Sequence, residues 1–463
     1  MNVISDFIDN EFKETSDLKY KKIRIGFSKI YIYYLETLCS GDKINDYILK
    51  NLSNKIFFCN IEKIIPSPTL VKIDNKDKIK FYMYNGYTIL IHKNNVYAFE
   101  TKGELDRSIS EATTEPTLYG PKDSLVENIV INLGLIKRRL KSTHLKNKEL
   151  FIGRNSLTKT NILYIDNITD MNLVSDIENT LKNIDMDAVL DSGTLKRILD
   201  NSNNPFPSVK LSERPDTVSN ALLSGKLVIL VDGSPYAIIL PAFLIDFINP
   251  IADNYSKPIN NNFLKIMRLI SFFLSIIVPS WYIAVTNYNQ ETIPLPLLLN
   301  FSSQRSGVPF PAIVEAIIMI IICEMLKESD LRFPNNYGSA ISILGALILG
   351  EAAVSAGIVS PIMIIVVAIT FISSLLFSDS EISGAIRIWR FVFLIFTAFF
   401  GLYGLSLAVL CFLINIVNLK SFNINYSFPI SPLDKTYLKD SVIIGKNNKR
   451  SKYLTNNTTR SKL

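Results

Sequence analysis

The amino-acid sequence predicts a two-part protein: an α/β soluble N-terminal region of two similar subdomains, followed by an α-helical polytopic membrane domain. Hydrophobic residues make up 48% of the 463 residues and charged residues 20%, but both are unevenly distributed. Lys, Asp, Glu and Asn are spread through the chain as far as about residue 262, whereas long apolar runs follow it. The chain therefore has one part suited to water and one suited to lipid.

An internal repeat predicts the two subdomains. Residues 81–99, FYMYNGYTILIHKNNVYAF, are rich in aromatic and β-branched residues, and Asn85-Gly86 favours a type I′ turn between two strands. Residues 225–240, GKLVILVDGSPYAIIL, have the same plan with a turn at Asp232-Gly233, and they align with the first stretch without a gap, 139 residues later. We therefore expect two similar hairpins.

A second shared unit precedes each hairpin. The strand-like YLETL (34–38) leads into the helix-like INDYILKNL, and YIDNI (164–168) leads into VSDIENTLKNI. These units predict subdomains of one strand–helix–hairpin topology within residues 1–105 and 150–250.

Residues 106–149 are predicted to form a helical linker between the subdomains. Four apolar residues there are spaced for one buried helix face: Leu125, Ile129, Ile136 and Leu140. The run Lys137-Arg138-Arg139 is interpreted as a solvated helix end, where positive charge is favoured by the helix dipole.

Composition argues against several functions. The net charge of +7 comes from basic residues beside apolar runs and in the tail, which indicates membrane flanking rather than nucleic-acid binding. Two histidines, four cysteines without CxxC spacing, and no phosphate loop or nucleophile–base pair predict no enzyme, no metal and no cofactor. The first residues lack a signal peptide's apolar core, so we expect the N-terminal region to be cytoplasmic.

The membrane domain is predicted over residues 262–419, with about four spans. A span needs about 20 apolar residues, and four stretches qualify: 266–286, 309–325, 339–377 and 391–419. As one helix the third stretch would be about 58 Å long, nearly twice the hydrocarbon core. We expect it to break near 357–361, between Gly357 and Pro361, into a tight pair of spans or into one span and a re-entrant piece.

Basic residues predict the orientation. They lie at the start of the first span and throughout the tail, residues 420–463, so both ends are expected in the cytoplasm. An even number of crossings follows, and four is the expected number. Arg387 and Arg390 would then lie on the outer side, which counts against four.

Three carboxylates lie at membrane depth: Glu315, Glu324 and Glu351. Such a charge is costly in lipid unless it meets a partner or water. Glu315 and Glu324, nine residues apart, should point to opposite helix faces. Glu351 is either protonated and hydrogen-bonded to a neighbouring helix, or part of a ring facing water in an oligomer.

Small residues at four-residue spacing surround Glu351 and would let helices approach closely, either in a crowded bundle or in self-association. They are the pairs Ala346/Gly350, Ala352/Ala356 and Ala353/Gly357.

Four long segments resemble the A subunits of GerA-type spore germination nutrient receptors. They are EATTEPTLYGPKDSLVENIVINLGLIKRRL (111–140), PFPSVKLSERPDTVSNALLSGKLVILVDGSPYAIILP (205–241), GVPFPAIVEAIIMIIICEML (307–326) and SILGALILGEAAVSAGIVSPIMIIVVA (342–368). The chain departs from the family pattern at Tyr119, Ser212, Ile320 and Glu351, and its first hundred or so residues and its tail match weakly.

The resemblance implies a role in the spore inner membrane. It implies a signal-gated ion channel formed by a homo-oligomer of A subunits, which starts germination, with a transporter-like B subunit and a lipoprotein C subunit as partners. The open alternatives are a membrane-anchored scaffold and a secondary transporter. Four spans without an evident membrane repeat argue against the transporter, and a scaffold has no use for a carboxylate in lipid.

Further candidate residues are structural or gating positions in the matching segments. In SERPD we expect Arg214 to form a structural ion pair between the subdomains rather than to bind a ligand. The complete set is Arg214, Pro215, Asp216, Pro309, Pro311, Arg332, Pro334, Gly357 and Pro361.

Overall fold

The structure, a computed structural model, forms two compact units. It describes residues 3–433, apart from 26–27, 54–60, 62–64, 66–68, 94, 104–111, 113, 118, 201–203, 333–347, 349 and 378. Unit 1 contains the described residues up to 200 together with 209–242, and unit 2 contains 204–208 and those from 243 onward.

Unit 1 is built on two five-stranded antiparallel sheets with one strand order, first–second–fourth–fifth–third. The first sheet consists of β1 (Leu18–Ile25), β2 (Ser28–Leu35), β3 (Val71–Ile73), β4 (Tyr87–His92) and β5 (Asn95–Glu100). The second consists of β6 (Leu145–Ile152), β7 (Thr158–Ile165), β8 (Lys210–Ser212), β9 (Leu227–Val231) and β10 (Ala237–Leu240). The shared order agrees with the internal repeat, and each repeat contains more strands than the sequence predicts.

Helices accompany both sheets, and one pair of them is equivalent. With the first sheet lie α1 (Val3–Glu11), α2 (Gly41–Lys43) continuing through a π turn (Ile44–Leu49) into α3 (Lys50–Ser53), and α4 (Lys76–Tyr84). With the second lie α5 (Ile129–Arg139), α6 (Met171–Lys182), α7 (Ser192–Leu199) and α8 (Pro215–Leu223). The helices α4 and α8 are offset by the same 139 residues as the repeat in the sequence.

Gly86 and Gly225 end these two equivalent helices. Their φ angles are +82° and +81°, the left-handed conformation in which glycine commonly follows a helix. The predicted type I′ turn at Asn85-Gly86 is therefore wrong, because residues 81–84 are helical and the hairpin turns after His92, which pairs with Asn95. The turn at Asp232-Gly233 is confirmed between β9 and β10.

The segment predicted as a linker packs as part of the second subdomain. Its helix is limited to α5, and β6 begins within the same range. The predicted apolar face is buried: Leu125, Ile129 and Ile136 pack in one cluster with Val228 and Leu230 of the second sheet. This segment is therefore part of the hydrophobic core of the second subdomain, and it is not a separate linker between two subdomains.

Unit 2 is mainly helical. Its helices are α9 (Leu244–Ile248), α10 (Pro258–Ile283, continued by a π turn, Ala284–Tyr288), α11 (Leu295–Arg305), α12 (Ala312–Arg332), α13 (Pro361–Leu375) and α14 (Ser380–Asn418). A small hairpin, β11 (Lys420–Ser421) and β12 (Ile424–Asn425), follows them. In the described part of the chain, residues 258–288 and 380–418 form helices long and apolar enough to cross a membrane, and α13 is apolar but shorter.

The expected break in the third apolar stretch is present. Residues 350–355 are helical, the helix stops, and α13 begins at Pro361. Gly357 in the gap has φ +65°, which favours glycine.

The helix α14 folds back on itself, unlike the single span expected over 391–419. Gly401 has non-helical angles, φ 59° and ψ −136°. The rings of Trp389 and Phe412 are 5.1 Å apart, although 23 residues of straight helix would separate them by about 34 Å. Two antiparallel helical segments therefore meet near Gly401.

Candidate functional site

Arg214 is the centre of a buried polar clamp in unit 1. It precedes α8, and it is 2% exposed. Its Nε and one terminal nitrogen donate to the two carboxylate oxygens of Asp216, at 3.0 and 2.6 Å. The predicted ion pair is present, but its partner lies two residues along the chain and not in the other subdomain.

The remaining donors of Arg214 bind the segment 115–121. They reach the carbonyl oxygen of Glu115 at 3.3 Å, the hydroxyl of Thr117 at 3.0 Å and the carbonyl oxygen of Pro121 at 3.0 Å. All five guanidinium N–H groups thus have a protein acceptor. The geometry supports a structural role, because no N–H group remains for a ligand.

Glu213 and Ser212 extend this clamp. One carboxylate oxygen of Glu213 accepts the backbone N–H of Thr114 at 2.5 Å, its hydroxyl at 2.8 Å and the backbone N–H of Glu115 at 3.0 Å. The Ser212 hydroxyl donates to the Glu115 carboxylate at 2.5 Å. Burial raises the pKa of Glu115 above its ordinary value. The segments SERPD and EATTEP, which are about 100 residues apart in the sequence, are therefore hydrogen-bonded to each other.

Lys137 forms a second buried ion pair in unit 1. Its Nζ lies 2.5 Å from a carboxylate oxygen of Asp17, and the two side chains are 1% and 4% exposed. The same oxygen accepts the Thr37 hydroxyl at 2.7 Å. The interpretation of residues 137–139 as a solvated helix end is therefore wrong for Lys137, which binds the residue immediately before β1.

In unit 2, Glu324 binds two arginines of α14. Its carboxylate lies 2.9 Å from Nε of Arg387 and 3.2 Å from a terminal nitrogen of Arg390. Arg390 is 3% exposed, and its Nε also donates to the carbonyl oxygen of Ser275 at 2.8 Å. Three helices, α10, α12 and α14, thus meet at Arg390.

Glu315 occupies a different polar site of the same unit and is fully buried. One of its oxygens accepts both the N–H and the hydroxyl of Ser360, each at 2.9 Å, and the other lies 3.8 Å from Nε of Arg305. Ser360 is the N-cap of α13, so the carboxylate lies at the positive end of that helix. As expected, Glu315 and Glu324 have separate partners.

Several of the expected structural positions surround Glu315. Pro311 accepts the backbone N–H of Glu315 at 3.1 Å, with Pro309 two residues before it. Pro361 is the first residue of α13. A Cβ on Gly357 would lie 3.2 Å from the carbonyl oxygen of Gly307, so this turn is closely packed.

Glu351 lies apart from both sites. It is on the helical residues 350–355 and is exposed, as are Ala352 and Ala356. Arg332 ends α12; its side chain, Pro334 and Ala346 lie outside the described residues.

Comparisons with known proteins agree on one family. The model of the family described as Bacillus/Clostridium GerA spore germination protein matches residues 6–453. "Spore germination protein KA" of Bacillus subtilis is 32% identical over 93% of this chain and 82% of its own length. "Spore germination protein A1" of the same organism is 31% identical over 94% and 91%, and "Spore germination protein GerQA" of Bacillus cereus is 33% identical over 93% and 88%.

A solved structure is also similar. The crystal structure of the N-terminal domain of the A subunit of the Bacillus megaterium spore germinant receptor GerK3 is 28% identical, with a TM-score of 0.40, over 52% of this chain and 95% of that one.

Proposed function

This chain belongs to the GerA family of spore germination proteins, and we propose that it is the membrane-embedded A subunit of a germinant receptor that conducts ions as a homo-oligomer. The observation that carries the proposal is the difference between the three carboxylates of unit 2. Glu315 and Glu324 bind partners inside the unit, whereas Glu351 is exposed on an apolar helix bordered by small residues.

The contacts of unit 2 support more crossings than four. Phe272 packs against Phe377 at 6.0 Å and Phe412 at 6.1 Å, which defines one level of the helix bundle. The Tyr288 hydroxyl donates to the carbonyl oxygen of Ala398, which defines the opposite level. Between these levels α10, α12, α13 and both halves of α14 each run once.

We propose a sixth crossing, because the sequence allows residues 339–377 to form a tight pair of spans, of which α13 is one. The helix α12 runs from Glu315, beside Ser360, to Glu324, beside Arg390. Six crossings place both ends on one side, as the basic flanks require. They also place Arg390 on the cytoplasmic side, where basic residues are favoured, whereas four spans would place it on the outer side.

In the proposed oligomer, Glu351 lines a water-filled path. The exposed Ala352 and Ala356 allow another helix to pack closely beside it. A carboxylate facing lipid is costly, but a ring of carboxylates facing water favours cations over anions. The proposed place is the spore inner membrane, with the N-terminal unit and the tail in the cytoplasm, and the proposed partners are a transporter-like B subunit and a lipoprotein C subunit.

Conductance of the purified full-length chain in liposomes tests the proposal. We expect cation-selective conductance that Glu351→Gln shifts toward non-selectivity, since the variant removes the ring of negative charge. Glu291→Gln, which neutralises an exposed carboxylate between helices, is the matched control and should leave selectivity unchanged. Equal selectivity in the unmodified chain and Glu351→Gln would disprove the ring, and a chain without conductance would favour the scaffold.

A further inference from the structure

A cluster of basic side chains surrounds Glu324 in unit 2. Two of its members, Arg387 and Arg390, form the ion pairs described above. The third, Lys327, lies one turn beyond Glu324 on α12 and interacts with it electrostatically, without an ion pair within 4 Å in the described part of the chain. We define these three cations as the basic cluster.

The basic cluster carries more positive charge than Glu324 balances. Glu324 forms ion pairs with Arg387 and Arg390 and attracts Lys327 electrostatically. Among the side chains that the structure describes, one carboxylate therefore faces these three cations.

The members of the basic cluster differ in accessibility. Arg390 is 3% exposed and donates to Glu324 and Ser275. Arg387 has a side chain 44% exposed, and its Nε lies 2.9 Å from the Glu324 carboxylate. Lys327 is partly buried. Arg387 is thus accessible to a ligand above a buried, charged base.

The basic cluster lies where the apolar segments of α12 and α14 end. Up to Cys323 the sequence of α12 is apolar apart from Glu315, whereas six of the nine residues from Glu324 to Arg332 are polar or charged. The helix α14 begins with a mixed segment, 380–387, before its apolar run. Lys and Arg side chains at such borders extend toward lipid headgroups. Basic side chains between membrane helices on the cytoplasmic side bind phosphate headgroups.

From this juxtaposition we propose that Arg387 and Lys327 bind the phosphate of an anionic phospholipid, with Arg390 and Glu324 holding the site in place. The fork of Arg387 matches two phosphate oxygens, and Lys327 supplies a point charge beside it. The inference rests on the proposed membrane location, but it concerns a lipid site and not the conduction path.

Native mass spectrometry of the full-length chain, released from vesicles containing phosphatidylcholine and phosphatidylglycerol, tests the site. We expect one phosphatidylglycerol retained preferentially. Arg387→Gln and Lys327→Gln should each weaken this binding about fivefold, since a basic residue near an anionic surface contributes about that factor. The matched control is Lys420→Gln, which removes an exposed cation elsewhere in unit 2.

The controls separate the alternatives. Equal retention in Arg387→Gln and Lys420→Gln would overturn the site, because the attraction would then be a general surface effect. Displacement of the lipid by millimolar inorganic phosphate would overturn the lipid assignment in favour of a free ion. A chain that does not fractionate with membranes at all would refute the membrane location itself, a result distinguishable from both.

Discussion

Replacing Lys137 in the buried pair with Asp17 should destabilise unit 1 strongly. Both side chains are almost completely buried, and the Lys137 nitrogen lies 2.5 Å from the Asp17 carboxylate. Lys137→Met keeps most of the volume of the side chain but leaves the Asp17 charge with the Thr37 hydroxyl as its remaining hydrogen-bond donor. Removing one partner of a buried ion pair costs about 3–5 kcal/mol, which is a large fraction of the stability of a typical domain.

A double-mutant cycle isolates this interaction. Asp17→Asn alone should also destabilise, whereas the double variant Asp17→Asn/Lys137→Met should lose less than the two single losses combined, because neither charge remains unpaired. The free energy of unfolding is measured by urea titration of residues 1–250, followed by far-UV circular dichroism.

The control is Lys50→Met in the exposed pair with Asp46, whose side chains are 62% and 53% exposed. That pair should contribute little to stability, because water screens the attraction between exposed charges. The reasoning about Lys137 is refuted if Lys137→Met costs no more than Lys50→Met, or if the effects in the cycle simply add.

The other predictions concern the clamp, a carboxylate and the topology. Arg214→Lys should lower the free energy of unfolding by about 2–3 kcal/mol, since a lysine cannot supply five donors to the same acceptors; an unchanged urea midpoint would contradict this. Hydrogen bonds from Lys148 and Lys182 lower the pKa of Glu178, so it stabilises the fold above its ordinary pKa, and this contribution disappears as the pH falls through the lowered value. Between pH 5 and 3 the unmodified chain should therefore lose more stability than Glu178→Gln, and parallel pH profiles would exclude this effect. Six crossings predict that Ser380→Cys, in a chain without its native cysteines, reacts with an impermeant thiol reagent from the cytoplasmic side, whereas four spans predict reaction from outside.

The internal repeat was predictable because its central hairpins are buried and apolar. Every residue of β9 is buried, and so are five of the six residues of β4, which gives two long apolar runs that align. The edge strands β1 and β6 contain no such apolar run. In β1, LKYKKIRI, most side chains are exposed, and charged residues on an edge strand resemble those of a loop. The edge strand β6, LKNKELFI, has a similar composition.

The local structure at Gly86 was predicted wrongly because glycine is favoured both in hairpin turns and at the C-terminal ends of helices. Asn-Gly favours a two-residue hairpin turn, but glycine with positive φ also follows helices, and Gly86 is of the second kind. The internal comparison held the information needed to choose, because Gly86 aligns with Gly225, which precedes a strand and follows the helix α8.

Polar contacts between distant parts of the chain could not be predicted from the sequence. Arg390 and Glu324 are 66 residues apart, and the fold-back at Gly401 has no charged residue to mark it within its run, 391–419. A single span over that run predicts that the two arginines before it, Arg387 and Arg390, lie on the outer side. The burial of Lys137 was hidden for a related reason: a basic run at a helix end gives no indication that Asp17, far earlier in the chain, lies beside it.

The three carboxylates of unit 2 illustrate why position in an apolar run does not determine a role. Glu315 and Glu324 lie nine residues apart on the same helix, yet one accepts hydrogen bonds at the start of another helix and the other binds two guanidinium groups. Neutralisation of either by Gln would leave buried donors without their charged acceptor, so loss of function there would report on folding as much as on conduction. Glu351 has an exposed side chain among small residues, so its neutralisation removes charge at little structural cost. A selectivity change caused by Glu351→Gln is therefore interpretable as an electrostatic effect, which the same substitution at the other two positions could not establish.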